Sequence, residues 1–205
     1  MLACARAVVA GVLLIASPQA FAQGRPKADP NWPCRQLETA AFSLASVWAG
    51  PDVDLNAQDW RDDPDVVDLA TKMSQRRVPM EDVEKAISAF KSKQGADADA
   101  KLLQAFGAAF QDLTQQRSQV LSGLDRFGRK QRELADRIRA ENEVAQNAAD
   151  QANNAGQLDE AARQKLEWDL RVFDDRQRTV RYVCESPTLI EQRLGAIARA
   201  VQQAL

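Results

Sequence analysis

The sequence predicts an all-α protein: a long antiparallel coiled-coil hairpin standing on a small helical base, with an irregular tryptophan-rich N-terminal segment tied on by a disulfide. Three observations predict it. From Leu103, apolar residues recur at alternating steps of three and four through Phe106, Phe110, Leu113, Val120, Leu124, Phe127, Leu134, Ile138 and Ala145, interrupted by Arg117, Gln131 and Glu141. A second stripe follows the polar turn Gln151 to Gly156, through Leu158, Ala162, Leu166, Leu170, Phe173, Gln177, Val180 and Cys184. An isolated amphipathic helix cannot hide a stripe that long, so each covers the other. The third observation is the cysteine pair Cys34 and Cys184, read together with the leader that precedes it.

That leader is Met1 to Ala22, with one charge (Arg6), an apolar run from Val8 to Ala16 and the small-residue ending Ala20-Phe21-Ala22. It predicts a Sec-type signal peptide cut before Gln23. A retained anchor would need about twenty apolar residues, and Ser17-Pro18-Gln19 stops the run short. Cys4 precedes the apolar run and is not placed like a lipoprotein cysteine. The mature chain is then expected in the periplasm or outside the cell, with no integral span. In that oxidising setting an even pair of cysteines reads as a disulfide. Closing a loop of 150 residues would constrain the unfolded chain by at most about 5 kcal/mol.

Residues 23–61 form the irregular segment. Pro26, Pro30 and Pro33 prevent a helix at its start, and Trp32, Trp48 and Trp60 crowd into it. Rings in such a segment are expected to wrap over the helices and bury themselves. A small-ligand binder or an enzyme, with an aromatic pocket beneath the segment, is the second reading. The stretch Asp52 to Gln58 carries oxygen side chains at alternate positions, like the start of a calcium loop. Ala57 stands where that loop needs glycine and Asp63 would replace a bidentate glutamate, so we read a solvated acidic loop and assign no metal site.

Asp63-Pro64-Asp65 opens a helix: Asp63 caps free amides, Pro64 suits the first turn and Asp65 complements the dipole. Its buried face is Val66, Leu69, Ala70 and Met73, ending near Arg76. Val78-Pro79-Met80 opens the next, which buries Val83, Ala86, Ile87 and Phe90 and ends at Gln94-Gly95. Asp97 is expected to cap the first long helix, and the second runs from about Leu158 to Glu185, where Ser186-Pro187 is expected to break or kink it. Thr188 to Ala204 then forms a last helix with Leu189, Ile190, Leu194, Ile197 and Val201 inward. Pairing the hairpin about residue 152 places Cys184 opposite Val120, Arg117 near Glu185 and Glu141 near Arg163. The base comprises 62–118 and 187–205 of the helical region 62–205, and the stalk, 119–185, stands out by roughly 40 Å.

Composition restricts function. Without Arg6, 26 basic residues face 29 acidic ones, which gives no basic face for nucleic acid. The chain has no histidine, which removes Ser-His and Cys-His nucleophiles and histidine-containing zinc and haem sites. No cofactor is expected. Arg126, Arg129, Lys130, Arg132, Arg137 and Arg139 form a basic run along the stalk, answered on the second helix by Asp169, Asp174 and Asp175. A charge run on a coiled coil is ordinarily a solvated, salt-bridged face, and the sharper reading is a docking surface. The expectation is a non-enzymatic interaction protein that engages a periplasmic protein partner, or a second copy of itself, through this flank or through the tip at Asn153.

The phrases Trp32-Pro33-Cys34, Trp48-Ala49-Gly50-Pro51, Arg171-Val172-Phe173-Asp174-Asp175-Arg176-Gln177 and Tyr182-Val183-Cys184-Glu185 together resemble an uncharacterised family of exported proteobacterial proteins. The resemblance spans most of the mature chain. It implies export and a helical fold, and it transfers no activity and no site residues.

Overall fold

The computed structural model describes residue 29 and residues 31–35, 42–152 and 160–205; the leader and the turn at Asn153 lie outside the described residues. Four α-helices are present and no strand among the described residues: α1 Pro64–Ser74, α2 Met80–Gln94, α3 Ala98–Ala152 and α4 Glu160–Ala204. Two long helices packed on each other and on two short ones give the hairpin and base that the stripes predict.

Local chemistry sets the boundaries. The Asp63 carboxylate accepts from the amides of Asp65 (3.0 Å) and Val66 (3.4 Å), and Pro64 follows at the first helical position. α1 stops at Ser74, two residues before the expected end, and Arg193 of α4 satisfies carbonyls that this end leaves free. The guanidinium donates to Lys72 O (3.2 Å) and Met73 O (2.7 Å), and to Val78 O (2.8 Å) in the following turn. Burial among these helices holds the guanidinium below the usual arginine range. α2 ends at Gly95, whose φ of 64° is the left-handed conformation that glycine adopts without strain. A short 3-10 turn, Gly95–Asp97, then leads into α3.

α4 corrects one expectation. It runs unbroken for 45 residues through Pro187, and no separate helix begins at Thr188. Pro187 removes one amide donor, leaving the carbonyl four residues earlier without its helical partner. The proline is buried, as are Cys184 before it and Ile190 after it, so packing on both sides holds the helix together across the gap.

The main core joins α1, α2, the first part of α3 and the last part of α4. Phe106, Met73, Leu102, Leu113, Ile87, Leu194 and Ile197 are fully buried in it. Each such side chain contributes about 1.5–3 kcal/mol of transfer free energy. Leu102, at 0% exposure, takes the place expected for Leu103, which is only partly buried. In the base α3 is surrounded by three helices, so burial there spreads beyond a single stripe. A second cluster, Leu124, Val180 and Cys184, lies at the root of the stalk, with Val120 touching both clusters.

Candidate functional site on the hairpin

The root of the stalk is fastened by the predicted disulfide. Cys34 and Cys184 are bonded, with their Cα atoms 5.6 Å apart. Asp29 shapes the strap before Cys34: its carboxylate accepts from Asn31 N (2.8 Å) and its carbonyl from Trp32 N (3.0 Å). The strap then crosses α3 at Gly128. A Cβ on that residue would fall inside the Asn31 carbonyl group, so only glycine admits the crossing. Beside it lies a cleft of about 300 Å³ whose lining includes Trp32, Phe127, Gln131 and Phe173.

The three clustered tryptophans do not converge on one pocket. Trp48 lies 4.5 Å from Phe106, ring centre to ring centre, and donates to Pro51 O (2.6 Å). Trp60 donates to Ala57 O (3.1 Å) and carries the Arg61 guanidinium 4.4 Å above its ring. Both pack on the core of the base, whereas Trp32 packs on the disulfide cluster of the stalk. All three rings pack against the helices, and Trp32 also lines the cleft beside Gly128.

The polar positions of the seam fix the alignment of α3 with α4, though with partners other than those expected. Arg117, 4% exposed, donates to Glu191 Oε1 at 2.6 Å and not to Glu185, which is exposed. Because α4 continues through Pro187, its inward stripe runs Cys184, Pro187, Glu191, and Glu185 turns away. Glu141 pairs with Lys165, not Arg163, which binds Glu160 and Glu167 on its own helix. Gln131 Nε2 donates to Phe173 O at 3.0 Å, while its buried Oε1 has no partner. The pairs 141 with 165 and 137 with 169 both centre on residue 153, one place beyond the predicted turn centre.

Asp169 escaped the sequence reading as an inward residue. It is 5% exposed, whereas Leu170, assigned to the stripe, is 42% exposed, and Ala162 is exposed too. Arg137 binds the Asp169 carboxylate through Nε (2.6 Å) and Nη2 (3.0 Å), and Lys165 approaches it at 3.4 Å. The Arg137 hydrogen bonds hold the carboxyl below its ordinary range against the opposing effect of burial. The spacing Leu166, Asp169, Phe173 also steps by three and four. Asp169 was therefore legible in the sequence by position, though not by polarity.

Of the basic run, Arg137 alone forms an ion pair across the hairpin among the described residues. Arg129 binds Asp125 and Arg139 binds Asp136, each one turn away on α3. Arg126, Lys130 and Arg132 form no salt bridge among the described residues, and neither do Asp174 and Asp175 on α4; all five are exposed. The expected answering row is thus realised only at Asp169. No family model, curated protein or solved structure matches the chain.

Exposed apolar groups stand on the same hairpin. Val144 on α3 is 60% exposed, and on α4 Trp168 is 62%, Tyr182 74% and Leu189 53% exposed. Trp168, Tyr182 and Leu189 fall at multiples of seven and so share one face, opposite the stripe that packs on α3. At the other end of the molecule, the acidic loop is used locally. Asp54 accepts from Asn56 N (2.8 Å), and Asp63, besides capping α1, binds Lys101 at 2.8 Å. The Lys101 hydrogen bond holds the Asp63 carboxyl below its ordinary range. No helix among the described residues is long and apolar enough to cross a membrane.

Proposed function

We propose that this is a non-enzymatic interaction protein of the periplasm, whose helical hairpin carries a docking surface for another protein. One observation carries the reading: the stalk presents exposed Trp168, Tyr182 and Val144 together with exposed Arg126, Lys130 and Arg132 that form no salt bridge within the described residues. Tryptophan, tyrosine and arginine are the residue types that dominate binding hot spots. The absence of histidine and the local use of the acidic loop support a role without catalysis, and the leader supports export. A small ligand in the cleft beside Trp32 is the second reading, supported by the buried, unpartnered Gln131 Oε1 in that wall.

In-cell photocrosslinking tests the first reading. A probe at Val144, with a control at Lys85 on the base, is expected to capture one protein from the stalk and none from the base. Equal capture from both, or from neither, would overturn it.

A further inference from the structure

The outer face of α4 is self-complementary, and its complement runs in the opposite direction. Along this face the exposed residues are Trp168, Arg171, Asp175, Arg178, Tyr182 and Leu189, with Glu185 at its margin. Arg171, Asp175, Arg178 and Glu185 form no salt bridge within the described residues, so each has a charged group free to meet one on a second helix. Two antiparallel copies of α4 can be aligned so that Trp168 faces Leu189 of the second copy. The same alignment sets Asp175 against the tyrosine hydroxyl of Tyr182 and Arg171 against Glu185. At the two-fold axis the two Arg178 side chains are then flanked by the two Asp175 carboxylates, and the centre is neutral. Sliding one copy by a heptad, so that Trp168 faces Tyr182, instead gathers Arg171 and Arg178 of both copies around two aspartates. That centre holds four positive charges against two negative, and Leu189 loses its apolar partner. Charge thus selects one register.

We infer that this face binds a second copy of the chain, α4 against α4, antiparallel and centred between Arg178 and Thr179. A contact that reads the same from both subunits closes into a two-fold dimer and leaves no surface to propagate. Trp168 and Leu189 are 21 residues apart, about 32 Å of helix, so the contact would bury both ends of the exposed stripe at once. The inference rests on the interaction reading above and names one occupant for one face of the stalk, leaving Val144 and the α3 flank available.

Cysteine crosslinking of the chain from Gln23 onward tests it, because the two cysteines it holds, Cys34 and Cys184, are bonded to each other. Trp168→Cys and Leu189→Cys variants carrying different tags are mixed and oxidised. The expected product is the mixed dimer, with neither variant linking to itself, since the like positions lie about 32 Å apart. Sedimentation of the native chain is expected to show a dimer that Trp168→Ala weakens at least tenfold and Leu189→Asp abolishes, with the helical content unchanged. A native chain that stays monomeric to about 100 µM, or Trp168→Cys linking to itself, would overturn the inference. Capture of a different protein by a photoprobe at Trp168 on a monomeric chain would overturn it while leaving the interaction reading intact.

Discussion

Gly128 separates helix propensity from tertiary packing at a single atom. Alanine in a helix interior is ordinarily better than glycine by about 1 kcal/mol. Here the added methyl group would meet the Asn31 carbonyl, so Gly128→Ala is expected to destabilise the chain by about 2 kcal/mol in urea denaturation. In a chain that starts after Cys34 and carries Cys184→Ala, the same substitution should reverse sign and stabilise. Arg117 gives a second contrast at this scale. Glu191→Gln is expected to cost about 1–2 kcal/mol, because it weakens the neutralisation of a buried guanidinium, while Glu185→Gln, on the exposed face, should stay within about 0.5 kcal/mol. Asp63 predicts a pH effect. Its carboxyl is held below its ordinary value by Lys101, so its contribution is complete above the unfolded value near pH 3.8 and is lost as pH falls through the lower folded value. The acid limb of a stability–pH curve should therefore flatten in Asp63→Asn, measured against the native chain.

The elements differ in how openly the sequence announces them. α1 and α2 were legible to within two residues because their ends are written in local chemistry, Asp63-Pro64 at one boundary and Gln94-Gly95 at another. α3 was legible from its seam alone. The end of α4's first part was not, because proline acts against the helix locally while the burial of Cys184, Pro187 and Ile190 acts through other elements. The wrong partner for Arg117 followed from pairing the hairpin about residue 152, one place short of the observed centre. The inward position of Asp169 was hidden for a related reason: a carboxylate is read as outward unless its register against Arg137 is known, and that register is a property of the pair of helices. Since the proline interrupts a helix that packing sustains, Pro187→Ala is expected to stabilise the chain by about 1–2 kcal/mol. That is the roughly 3 kcal/mol of interior-proline cost less the packing lost with the ring. A loss of stability on thermal denaturation would instead assign the ring a larger part in the core.

At the scale of the whole molecule, the separate clusters of the base and the stalk root imply that the base can stand alone. Replacing 129–173 with a short turn removes the upper stalk and leaves the base core intact. The shortened chain is expected to retain a cooperative thermal transition by circular dichroism while losing capture by stalk probes. If it unfolds, the base depends on the stalk for its fold. The disulfide acts at this scale too. Cys34→Ser with Cys184→Ser is expected to cost about 2–4 kcal/mol, most of it through the unfolded chain, whose loop of 150 residues is otherwise open. The architecture was legible because it rests on period and spacing. The docking chemistry was less so, because whether an arginine in a run is spent on its own helix, across the hairpin or on neither is decided by side-chain geometry.

The link between Cys34 and Cys184 also makes most of the polypeptide a covalent ring. A protease that cuts once anywhere between these residues, at the hairpin tip or along either long helix, produces two fragments, one holding each cysteine. They stay joined. Such a nicked molecule would migrate as one species without reductant and as two with it, and its base would keep both α3 and α4. Either long helix can therefore be severed without the protein coming apart.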